Sequence, residues 1–98
     1  MKTITISGIF TESVNNLVII DLFSLNSQNN SYDVRKIFEN DFVFTVNDLM
    51  PNSKYVLDVT GFTFGKFKIN VTGDIPEVIE ESFKKTKFSP GYTITTTS

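Results

Sequence analysis

Within three runs between residues 41 and 72 an apolar side chain recurs at every second position, and that period constrains this chain more than any other feature. Phe42, Phe44 and Val46 alternate with Val43, Thr45 and Asn47. Tyr55, Leu57 and Val59 alternate with Val56, Asp58 and Thr60, and Phe67, Ile69 and Val71 with Lys66, Lys68, Asn70 and Thr72. A period of two belongs to a strand with one face in a core and the other in water. Pro51-Asn52-Ser53 parts the first two runs, because proline has no N–H to give a ladder. Gly61 and Gly65 enclose Phe62, Thr63 and Phe64, which predicts a hairpin tip with positive φ at its glycines. The three runs therefore predict three antiparallel strands of a β-sandwich.

The order over residues 49–55 carries a resemblance. A leucine (Leu49), a proline turn (Pro51) and a tyrosine (Tyr55) that opens an alternating strand resemble the E–F corner of fibronectin type III domains. The resemblance covers residues 41–72, and transthyretin-like and carboxypeptidase-associated β-sandwiches carry similar segments. It implies an all-β, immunoglobulin-like antiparallel sandwich of about seven strands, with Leu49 capping the core and the Tyr55 hydroxyl bonded back to the chain as a tyrosine corner. The type III core also has an early tryptophan, and this chain has none.

The remaining segments extend the pattern. Residues 3–10 read as a first strand with Ile4 and Ile6 inward. Residues 17–25 are apolar on both faces, so such a strand needs a cover on each side, from another element or from a partner. Asp21 interrupts one of those faces, so it either has a hydrogen-bond donor or lies at a sheet margin. Residues 26–31 are a polar run centred on Asn29 and Asn30, read as an exposed loop, and 32–38 form a less regular strand. Residues 75–85 predict a short helix of about three turns: Ile75, Val78, Ile79 and Phe83 share one helical face, Asp74 and Glu77 resemble a capping box, and Glu80–Lys84 and Glu81–Lys85 are spaced as i,i+4 pairs. Residues 87–98 return to alternation through Tyr92 and Ile94, as the closing strand of the sandwich or as an arm exchanged with a neighbouring chain.

Ninety-eight residues predict a single sandwich domain over 1–98. With no cysteine and no histidine, the chain lacks a thiol nucleophile, a disulfide and the commonest general base and metal ligand. The acids are scattered without calcium-loop spacing, and no phosphate-binding glycine motif occurs. These features predict a non-enzymatic protein with no catalytic residues, cofactor or metal. A formal charge of −2 with one arginine, Arg35, argues against nucleic acid as partner. No stretch of about 18 apolar residues would span a membrane, and Met1-Lys2 leads into a strand rather than a signal core, which predicts cytoplasmic synthesis.

Function is expected in binding. The first expectation is a structural or adhesive module that builds or decorates a larger assembly, as a capsid-decoration, fibre or tail component of a virion does. It would use a protein partner or self-assembly into a homo-oligomer through an edge strand containing Tyr92 and Ile94. The alternative is a carbohydrate- or peptide-binding sandwich that uses Asn29, Asn30 and the Phe62–Phe64 tip. For that tip two outcomes are open: both rings fold back and pack, or the tip presents them to a partner.

Overall fold

A computed structural model describes residues 1–25 and 33–98. Its nine strands are β1 (Lys2–Phe10), β2 (Leu17–Ser24), β3 (Asp33–Phe38), β4 (Phe42–Leu49), β5 (Lys54–Phe62), β6 (Phe67–Gly73), β7 (Ile79–Phe83), β8 (Lys87–Phe88) and β9 (Gly91–Thr95). They form two antiparallel sheets packed as a β-sandwich. Sheet A has the order β4-β1-β6-β7, and sheet B has β3-β2-β5 with β8 and β9 both paired to β5.

The alternation sets which residues enter the core. Ile4 and Ile6 of β1, Val18, Ile20 and Leu22 of β2, Leu57 and Val59 of β5, and Ile69 and Val71 of β6 are fully buried between the sheets. Each such side chain contributes about 1.5–3 kcal/mol relative to staying exposed. A row of phenylalanines closes one end of this core. Phe38 stacks on Phe42 at 4.1 Å, Phe67 on Phe88 at 4.9 Å and Phe88 on Phe83 at 5.5 Å between ring centroids. Phe10 leans against Phe67 at 4.7 Å, so the row joins both sheets.

The corner between β4 and β5 has the geometry the resemblance implies. Leu49 and Tyr55 are fully buried, and the Tyr55 hydroxyl accepts a hydrogen bond from the Met50 N–H at 2.9 Å. Thr96 fastens the same corner from the C-terminal side, donating its hydroxyl to the Met50 carbonyl and accepting from the Ser53 N–H.

Three expectations change. The helix over 75–85 is absent: residues 79–83 are strand β7, in register with β6 from Val71↔Ile79 to Phe67↔Phe83. A spacing of four is close to one helical turn and is also two strand periods, so Ile79 and Phe83 share a face in either state. The open edge of β6 decides the outcome, since pairing supplies its backbone with partners that a helix there could not. The expected capping and i,i+4 contacts are replaced by long-range ones. The Asp74 carboxylate accepts from the Thr3 N–H at 2.8 Å, and Glu80 pairs with Lys68 at 2.8 Å.

The central runs are also not mutual neighbours. β4 and β6 flank β1 in sheet A, whereas β5 lies in sheet B between β2 and β8/β9. The 61–65 connection is therefore an arch from one sheet to the other, not a hairpin. Finally, the strands among the described residues number nine rather than about seven, because β7 and the two-residue β8 lie between β6 and the last strand. β8 and β9 pair with β5 of their own chain.

Candidate functional site

The outer face of sheet B holds the candidate site. Because Val18, Ile20 and Leu22 point inward, Leu17, Ile19, Asp21 and Phe23 point out. Ile19 lies opposite Ile37 of β3 and Thr60 of β5, and Leu17 lies opposite Phe62. Ile37 is 60% exposed, and Leu17 and Ile19 are half-buried. One end of the face is thus a continuous apolar strip. Further along, Asp21 sits opposite Arg35 and Asp58. Arg35 donates from Nε at 2.7 Å and from Nη2 at 3.1 Å to the two Asp21 oxygens. Of the two outcomes open for Asp21, the structure shows the hydrogen-bond donor, and the Asp21 hydrogen bond and charge raise the Arg35 pKa.

The arch from β5 to β6 frames the end of that strip. Thr63 is fully buried; its hydroxyl donates to Asn16 Oδ1 at 2.7 Å and accepts from the Gly65 N–H at 3.1 Å. Asn16 in turn donates from Nδ2 to the Glu12 carbonyl at 2.7 Å, and the Thr63 N–H donates to the Thr86 carbonyl at 2.9 Å. With Thr63 fixed inward, its two neighbours turn outward. Phe64 is 69% exposed and Phe62 36%, so the structure presents the tip rather than folding both rings away. Neither enclosing glycine has a positive φ. They are needed for room: a Cβ on Gly61 would lie 2.1 Å from the Leu17 carbonyl oxygen, and one on Gly65 would strike Thr11 and Glu12.

Beside the arch, the segment from β7 to β9 crosses from sheet A to sheet B and leaves an open cleft of about 850 Å³. Leu17, Ile19, Phe62, Phe83, Phe88 and Pro90 supply its apolar lining, with Lys84, Lys85 and Lys87 around them. All three lysines are exposed, and among the described residues no acidic or amide side chain lines the cleft. Its volume falls within the roughly 300–1,000 Å³ of ordinary ligand pockets, and its composition of apolar walls with few polar groups matches them as well. The chemistry on offer is recognition of an apolar group that carries negative charge beside it.

The remaining candidates separate. Asn29 and Asn30 lie outside the described residues. Ile94 is 2% exposed, in the core opposite Tyr55, so its side chain is not available to a partner. Tyr92 is half-buried, and its hydroxyl donates to Glu81 across the open side between β9 and β7. Burial, then the Glu81 hydrogen bond and charge, push the Tyr92 phenol above its ordinary value. Among the described residues no group of three or more acids gathers as a metal site. Sequence reasoning missed Phe83, Lys84 and Lys85 as part of a site because it placed them on a helix, and it placed Lys87 at the start of the closing strand. The doubly apolar run of β2 was the signal that could have found Leu17 and Ile19. The chain matches no family model, no characterised protein and no solved structure.

Proposed function

We propose that this chain is a non-enzymatic structural or adhesive module of immunoglobulin-like type, which builds a larger protein assembly by associating through the apolar end of sheet B. The observation that carries the reading is the continuity of Leu17, Ile19, Ile37 and Phe62 with the adjoining cleft. Single exposed apolar residues are ordinary, but contiguous ones mark contact surfaces. The buried tyrosine corner supports the immunoglobulin-like type. The insertion of β6 and β7 between β5 and the closing strands is this chain's own variation on it. Capsid-decoration, fibre and tail components of virions are the class of assembly that suits such a small cysteine-free module.

A carbohydrate- or peptide-binding role is the second reading. The cleft favours its peptide form, because among the described residues its lining has none of the carboxylates and amides that commonly hydrogen-bond sugar hydroxyls. Nucleic acid is disfavoured as partner, since Arg35 is engaged by Asp21 and the three lysines surround an apolar cavity.

Light scattering from micromolar to millimolar chain tests the assembly reading. The mass should climb above the 11.1 kDa of one chain, and Phe62→Asp should hold it near that value. A native chain that stays monomeric throughout would remove this function.

A further inference from the structure

Two complementary features occur at the same end of the sandwich. The first is a knob. Phe64, at 69% exposure, is the most exposed aromatic among the described residues, and it projects from an arch anchored by the buried Thr63 and Asn16. A carboxylate accompanies it: the Glu12 side chain lies against Gly65, close enough that a Cβ there would meet Glu12 Cγ at 2.6 Å and Oε1 at 3.4 Å. The second is the cleft, whose apolar walls carry Lys84, Lys85 and Lys87 and, among the described residues, no acid. Three of the chain's nine cationic side chains are gathered there in a protein of net charge −2. An aromatic ring with a carboxylate beside it is what such a cleft would receive.

Knob and cleft are joined through Phe62, which lines the cleft two residues from Phe64. A surface that carries both complements side by side is self-complementary, and two copies can then satisfy each other about a two-fold axis. We infer that the occupant of the cleft is Phe64 of a second copy of this chain, with Glu12 of each copy facing the lysines of the other. The inference rests on the assembly reading above and names its first step, an end-to-end dimer. Aromatic anchors seated in apolar pockets carry most of the energy of such contacts, and opposed charges fix the register.

Sedimentation of designed charge variants tests it. Glu12, Lys84, Lys85 and Lys87 are all exposed, so their replacement leaves the fold intact, which an unchanged thermal midpoint would verify. The native chain should dimerise, and Phe64→Ser should raise the dissociation constant roughly tenfold or more. Glu12→Lys alone, and Lys84→Glu with Lys85→Glu and Lys87→Glu together, should each be monomeric. Mixing those two variants should restore a dimer, since each knob then meets a cleft of opposite charge. A mixture that stays monomeric, or native association indifferent to Phe64→Ser, would overturn the two-fold pairing and leave assembly by another surface standing. A native chain that remains monomeric would overturn both.

Discussion

The outer faces of the two sheets are made from strands of similar length and the same period, yet they carry opposite chemistry. On sheet A, Thr5 lies between Thr45 and Thr72, and Ser7 between Val43 and Asn70. The Thr5 and Thr45 hydroxyls are 3.3 Å apart, and Lys68 pairs with Glu80 on the same face. Val43 is 71% exposed there and Ile9 51%, but each lies directly opposite a polar residue, Ser7 and Lys68 respectively. On sheet B, Leu17, Ile19, Ile37 and Phe62 adjoin one another and lead into the cleft. Counting exposed apolar residues would not separate the two faces. Contiguity does, because water is displaced from an area and not from single side chains.

The largest effect is expected where neither face is involved. Phe67 is fully buried and touches Phe10, Phe42 and Phe88 from both sheets. Phe67→Ala should cost about 3–5 kcal/mol in urea unfolding, and a loss below about 1 kcal/mol would show that the aromatic row does not hold the sheets together. Tyr55→Phe comes next. It keeps the ring and removes the acceptor of the Met50 N–H, at a cost of about 1–3 kcal/mol. A neutral outcome would mean that water or another group readily replaces the corner bond.

Tyr92 gives a smaller, pH-dependent effect at the open side of the sandwich. Its folded pKa is raised above an unfolded value of about 10. The stabilisation is therefore complete below about pH 10 and lost as pH rises toward the folded value. Thermal midpoints should fall more steeply above about pH 10 in the native chain than in Tyr92→Phe. Parallel profiles would remove the Glu81 contact from the account. The smallest stability effects belong to a matched pair, Ile37→Lys on the β3 edge of sheet B and Thr45→Lys on the β4 edge of sheet A. Each should change monomer stability by no more than about 0.5 kcal/mol. Only Ile37→Lys should weaken association measured by light scattering, and equal behaviour would erase the distinction between the faces.

Much of this fold was legible in the sequence. The inward sets of β1, β5 and β6 follow from alternation, a local signal, and the Leu49–Tyr55 corner was implied by the resemblance that residues 41–72 carry. What was not legible is how the runs are distributed between the sheets. Phe67, Ile69 and Val71 alternate identically whether β6 lies beside β5 or, as it does, beside β1. The helix expected over 75–85 failed for a related reason, since helical spacing and i,i+4 charges are local and the pairing with β6 is not. At the candidate site, the two apolar faces of β2 called for a cover on each side, from another element or from a partner. Lys84, Lys85 and Lys87 reach the outer face only through the crossing from β7 to β9, which no spacing in the sequence encodes.

The most direct test of the central claim is to follow backbone amide shifts by NMR as the native chain is diluted from millimolar to micromolar. Resonances of residues 17–19, 36–37, 60–64 and 82–90 should move, while those of Thr5, Ser7, Thr45 and Asn70 stay fixed. Movement confined to sheet A, or none anywhere, would contradict the assignment of the apolar end of sheet B as the contact face.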